Sequence, residues 1–155
     1  MPETIPHPTT NAARQRWMGV LARASAAAIA DRLGDCGAMP DYERLRGPEG
    51  GLVMVRGRAG GGGAPFNLGE TTVTRCTVQL ADGTIGHAYV KGRDGRHAEL
   101  AALVDALMQR PDDARTLEHQ VITPLETAER LRRESIAAKA EATKVRFFTM
   151  QTTRS

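Results

Sequence analysis

Four consecutive glycines, Gly60, Gly61, Gly62 and Gly63, follow an apolar run and two arginines in GLVMVRGRAGGGGAPFNLGE, residues 51 to 70. Such a run cannot sit inside a packed helix or strand, because glycine brings no side chain to bury and loses the most conformational freedom on folding. The segment is a connection, and its backbone either approaches something closely or stays adjustable. The residues before it, Leu52 to Arg58, open with four consecutive apolar side chains, the pattern of a strand covered on both faces.

The loop does not fit a standard nucleotide-binding motif. No lysine follows the glycines as GxxxxGK[ST] requires, and Pro65 and Phe66 stand where GxGxxG would open a helix. Two readings stay open. The run is a flexible hairpin connection, or Arg56 and Arg58, alternating onto one side of the strand, present guanidinium forks to a carboxylate or phosphate.

Downstream, Glu70 to Leu80 and Thr84 to Lys91 flank Asp82-Gly83, the dipeptide favoured by a two-residue type I′ hairpin. That turn sets Leu80 opposite Ile85, Val78 opposite His87 and Cys76 opposite Tyr89 on one mainly apolar face. Arg75, Thr77 and Gln79 then oppose Val90, Ala88 and Gly86 on a face small and polar enough to admit another chain. From Arg96 to Arg110, the residues Leu100, Leu103, Val104, Leu107 and Met108 follow the i, i+3, i+4, i+7, i+8 rule of a helix that Pro111 stops.

A helix from Asn11 to about Leu33 is expected upstream, with Asn11 as its cap and Gly34 ending it. The stretch DCGAMPDYERLRGPEGG reads as a turn-rich bridge with at most one helical turn near Tyr42 to Arg46. A last long helix spans Thr123 to Ala142, with Pro124 in its first turn and a thin apolar stripe through Leu125, Ala128 and Leu131. It lies on the surface or packs against something outside the chain. KVRFFTM reads as a final strand. The organisation is a leader over 1–10, a single domain over 11–150 and a tail over 151–155. The fold expected is α+β, a small antiparallel sheet flanked by about three main helices.

Size and composition narrow the functional classes. With 155 residues, 41% of them hydrophobic, one core is expected. Aromatics make up only 4%, so the core rests on aliphatic and small side chains and a partner surface would help it. A net charge of +3 with acids and bases interspersed reads as solubility before nucleic acid, and no RNP-like motif is present. Cys36 and Cys76 belong to no zinc or thiol-exchange spacing, which suits reduced thiols and no metal site. The N-terminus has no secretory pattern, and no apolar run approaches the roughly 20 residues of a membrane span. A cytoplasmic protein, with neither membrane nor nucleic acid as partner, is the expectation.

In KGRDGRHAEL, Lys91, Arg93 and Arg96 crowd a helix N-terminus, where free N–H groups and the helix dipole attract anions. Asp94 acting as a simple cap beside solvated cations is the equal alternative. His97 stands at the edge of the buried stripe and reads as a packed first-turn residue, with a proton-donor role still open. His87, on the expected apolar face of the hairpin, reads as a core histidine. Glu70 and Arg75 point to opposite strand faces, so the spacing implies no direct pair. Arg130, Arg132 and Arg133, interleaved with Glu126, Glu129 and Glu134, form a salt-laced solvated face in which Glu126 precedes Arg130 by one turn. No nucleophile–base pair and no paired carboxylates emerge from the spacing.

Taken in order, RQRWM, LRGPEGGLVMVRGRAGGGG, FNLGE, TVTRC, YVKGRDGRHAELAALVDALMQ and TKVRFFTM resemble the small G-subunit family, PhnG, of the bacterial carbon–phosphorus lyase core complex. The likeness spans nearly the whole chain, departing at Arg146 and in the ending QTTRS. It implies a role in phosphonate catabolism beside companion I, H and L subunits, with J in the wider system. Together these replace adenine at ribose C1 of ATP with methylphosphonate, the nucleosidase chemistry belonging to the large I subunit. The resemblance implies no cofactor on this chain, ATP being the substrate of the complex.

Two hypotheses follow. In one, the chain is an accessory subunit completed by a companion, with Gly60, Gly61, Gly62, Gly63 and Phe66 at the subunit contact. In the other, Arg58, Arg75, Arg93 and His97, with Lys91 beside them, converge on a nucleotide triphosphate or phosphonate and contribute to its binding or conversion.

Overall fold

The structure is a computed structural model in which residues 11–145 are described. The expected leader and the Phe147–Phe148 strand lie outside them. Helices α1 (Asn11–Arg23) and α2 (Ala26–Gly34) are followed by the long strands β1 (Tyr42–Arg58) and β2 (Pro65–Leu80) and the short β3 (Ile85–Lys91). Then come α3 (Gly95–Met108), α4 (Pro111–Leu117) and α5 (Thr123–Ala142), the last two joined by a π-helical turn over Glu118–Ile122. The sheet is antiparallel in the order β1-β2-β3. The α+β expectation is met.

The single first helix is not. Ser25 breaks it, its Oγ accepting the Ala28 amide at 3.1 Å as an N-cap. The break re-aims the chain, so that Trp17, Val20 and Leu21 of α1 and Ile29 and Leu33 of α2 reach one core. The turn-rich bridge also differs, since β1 already begins at Tyr42. Its turn-forming residues are absorbed as register irregularities between Arg44 and Arg46 and between Arg46 and Glu49. Pro48 is tolerated because β1 is an edge strand.

The register of the β2–β3 hairpin corrects the type I′ expectation. Three residues, Ala81 to Gly83, make the connection. The Leu80 amide donates to Thr84 O at 2.9 Å, the Gly83 amide to Leu80 O at 2.9 Å, and Gly83 takes φ +87°. This is the geometry of a type I turn closed by a glycine bulge. Gln79 therefore opposes Ile85, Thr77 opposes His87 and Cys76 opposes Ala88.

A one-residue slip turns the whole strand over. Gly86, Ala88 and Val90 face the core, while Ile85, His87 and Tyr89 face out. Packing selects this register. A Cβ on Gly86 would overlap the Ala102 carbonyl oxygen and come within 2.6 Å of Ala106 N, so β3 and α3 touch backbone to backbone there. The core lies between this inner sheet face and α3, which is buried nearly all round because α1, α2 and the π-turn residues Val121 and Ile122 cover its other sides. Pro111 opens α4 rather than merely ending α3.

Candidate functional site

β3 pairs with β2 only from Val73 to Gln79, so the far ends of β1 and β2 leave the sheet as a two-stranded arm. From Thr72 back to Pro65 the arm runs eight residues, about 23 Å at roughly 3.3 Å for each step between them. The expectation that Leu52 to Arg58 is covered on both faces is overturned. Leu52 is 63% exposed, Met54 52% and Leu68 66%, with Val55 and Phe66 also exposed. Among the described residues no layer packs on this stretch, which is why an apolar run stays exposed there.

Leu52 and Met54, opposite Thr72 and Glu70, continue the core-facing side of the sheet. On the other side, Phe66 and Leu68 gather over Gly57, where a Cβ would lie 3.7 Å from Leu68 and 3.9 Å from the Phe66 ring. Leu68 is the extra residue of a bulge, since Val55 pairs with Gly69 and Arg56 with Asn67.

The glycine run forms the tip of this arm. Gly60 takes φ +60°, and the Gly63 amide donates to Ala59 O at 3.1 Å, so close that a Cβ on Gly63 would sit 2.9 Å from that oxygen. Arg58 Nη1 donates to Gly63 O at 3.2 Å.

At the base of the arm, Arg93 lines an open depression of about 430 Å³ with Gly50, Gly51, Leu52, Thr72 and Thr74. Thr74 Oγ1 donates to Gly92 O at 2.6 Å and the Gly92 amide donates to Thr72 O at 2.8 Å, fixing the loop that carries Arg93. Lys91, Arg93 and Arg96 are exposed. Asp94 caps α3, its Oδ1 accepting the His97 amide at 3.0 Å.

The His97 ring is buried, and its Nε2–H donates to Leu21 O at 2.7 Å, tying the first turn of α3 to α1. Arg75 lies on the outer sheet face, bonded to Glu49 at 3.1 Å. Arg58 stands at the arm tip, and Arg93 at its base. Within the chain these four residues do not share one site. His87 is no core residue either. It is exposed, Nδ1 lying 3.2 Å from Thr77 Oγ1.

Two carboxylates to which the sequence assigned no role organise the body. Asp105 is fully buried and accepts Arg14 Nε at 3.1 Å, Arg14 Nη2 at 2.7 Å, Trp17 Nε1 at 2.8 Å and the His87 amide at 2.8 Å. Four donors satisfy its charge, joining α1, β3 and α3. The spacing of Arg14 and Trp17 on one helical face, both inside RQRWM, was the signal for such a shared acceptor.

Glu99 accepts Tyr42 Oη and Arg44 Nε, each at 2.7 Å, holding the start of β1 to α3. Burial raises the Glu99 carboxyl, but the two hydrogen bonds and the Arg44 charge outweigh it and leave it below the usual range. Burial, helped by the same hydrogen bond, pushes the Tyr42 phenol up to about 12.

α5 leaves the core after Leu125 and exposes Leu131 and Ile136, as a helix lying on the surface or awaiting an outside surface should. Its salt-laced face exists with different partners. Arg132 and Arg133 both bond Glu129, at 2.8 Å, and hold that carboxyl down at about 2. Arg130 bonds Glu134 at 2.9 Å, while Glu126 is taken by Arg16, which also grips Glu118. Among the described residues no group of three His, Cys, Asp or Glu side chains is placed to hold a metal ion, and no helix is long and apolar enough to cross a membrane.

Comparison with known proteins agrees with the ordered motifs. The family described as phosphonate metabolism protein PhnG matches residues 12–153. The chain is 44% identical over 142 residues, 90% of its length and 88% of the relative's, to the alpha-D-ribose 1-methylphosphonate 5-triphosphate synthase subunit PhnG of Rhizobium meliloti (strain 1021).

Proposed function

This chain belongs to the PhnG family, and we propose that it is the docking subunit of a ribose 1-methylphosphonate 5-triphosphate synthase. In this reading it supports displacement of adenine from ATP by methylphosphonate in the cytoplasm, bound to a large I subunit that performs the chemistry. The H, L and J proteins complete the system.

The observation that carries the reading is the arm. Five large apolar side chains stand exposed on one ribbon, Leu52 and Met54 on one face and Val55, Phe66 and Leu68 on the other, and exposed apolar patches mark interaction surfaces. Each is worth about 1.5–3 kcal/mol when fully buried. Together they match the scale of the roughly 4–15 kcal/mol lost on association. The accessory role is supported by how the chain's own polar groups are spent. The His97 proton goes to a carbonyl, Asp105 is saturated by four donors, and Glu99 is held by Tyr42 and Arg44.

Co-expression with the I, H, L and J subunits tests it. Phe66→Asp combined with Leu68→Asp should leave the isolated chain folded and abolish its co-purification with the I subunit. Undiminished co-purification would remove the arm as the docking element. Arg93→Ala should assemble normally with unchanged nucleotide turnover. Normal assembly with weakened turnover would favour the reading in which Arg93 meets the substrate.

A further inference from the structure

The two edges of the sheet are treated differently. On β3, backbone groups facing away from β2 are occupied by side chains of the α3 region. The His87 amide donates to Asp105 Oδ2 and Ile85 O accepts Gln109 Nε2, both at 2.8 Å. That edge is closed. On β1 the half nearest the body is protected by other means, with Pro48 and two register irregularities before Glu49, devices that natural sheets use against edge pairing.

From Glu49 to Val55 the register then runs without interruption, and beyond it the extra residue at the last bulge lies on β2, so β1 itself is unbroken to Arg58. This stretch has no proline and no edge lysine, and no element among the described residues covers it; these are the usual defences. Gly50 to Val55 carries no charge, and Arg56 and Arg58 follow on one face, neither paired with a carboxylate among the described residues. An open, regular edge with an uncharged middle and a basic end is a template for one kind of ligand.

We propose that Gly50–Arg58 of β1 receives an added β-strand from a companion protein, an extended segment whose apolar middle lies along Gly50–Val55 and whose acidic side chains meet Arg56 and Arg58. The proposal rests on the docking-subunit reading and states how the arm is held. Main-chain hydrogen bonds fix the segment along the edge, and the two arginines fix which end lies at the tip.

Residue-resolved hydrogen exchange on the free chain and on the complex co-expressed with the I, H, L and J subunits tests it. In the complex, the Gly50–Arg58 amides directed away from β2 should exchange about tenfold or more slowly than in the free chain, in an every-second-residue pattern. A complex that forms while those amides stay within about twofold of their free rates overturns strand addition and leaves docking by side chains alone. Failure of any complex to form overturns the docking-subunit reading itself. A free chain that dimerises with the same amides protected makes a second copy the occupant and also overturns the proposal. Arg56→Glu with Arg58→Glu should weaken assembly roughly tenfold or more; unchanged assembly excludes an acidic segment.

Discussion

Strand β2 is buried at Thr74, Cys76, Val78 and Leu80, yet exposed at every residue from Pro65 to Glu70. Its neighbour β1 makes the contrast sharper, because Leu52 to Val55 is more apolar than much of the buried half and still lies in water. Apolar content does not decide burial; a second layer does. Where α3 crosses the sheet, even glycine and alanine become core. Where no helix follows, leucine and methionine remain surface, suited to another protein.

The contrast can be broken most severely at Gly86. Gly86→Val would drive a side chain into the α3 backbone at Ala102 and Ala106, and it should cost about 5 kcal/mol or prevent folding, read by urea denaturation. Gly57→Ala, on the arm, meets only ordinary contacts to Leu68 and Phe66 and should fold as the parent does. Equal losses at the two glycines would refute the division into packed body and free arm.

Asp105→Ala comes next. It removes the acceptor of the buried Trp17 indole N–H, of the part-buried His87 amide and of Arg14, whose side chain is 31% exposed, a loss of about 3 kcal/mol in the same assay. The His87 amide should also begin to exchange, since it loses the acceptor that closes the β3 edge.

Tyr42→Phe sharpens the boundary where β1 meets α3, with an expected cost of about 1 kcal/mol at neutral pH. The phenol is raised in the folded chain from 10.0 to about 12, so its contribution is whole below pH 10 and is lost as pH rises toward 12. Glu99 is lowered, so its contribution is present above the ordinary carboxylate range and is lost as pH falls through the folded value. The difference between parent and Tyr42→Phe should therefore be flat near neutrality and shrink at alkaline pH, measured by denaturation across pH. The smallest effect belongs to Leu52→Ser with Met54→Ser, within about 0.5 kcal/mol of the parent in thermal unfolding.

Much of the secondary structure was legible. The apolar period of α3, the Asp94 cap, and the span of α5 from Thr123 to Ala142 follow from local rules, and the structure places them there. The break at Ser25 was missed because the helical period runs on across it, and only one cap marks the change. The hairpin was found but its register was off by one, because Asp-Gly serves both a two-residue turn and a three-residue turn with a bulge. The arm was half legible. Its glycine tip declared a connection, while the four apolar residues before it suggested burial that did not occur.

The sequence alone determined α3, α5, the existence of the β2–β3 hairpin, the family, and the need for a turn at the glycine run, since each depends on residues close in the chain or on motifs in order. Only the tertiary structure decided which face of β3 is inside, which carboxylate collects Arg14 and Trp17, and which half of β2 is left bare. Those outcomes depend on where α3 lies across the sheet. A helix 14 residues long, rising about 1.5 Å per residue, can cover only one end of strands as long as β1 and β2, and the other end is the arm.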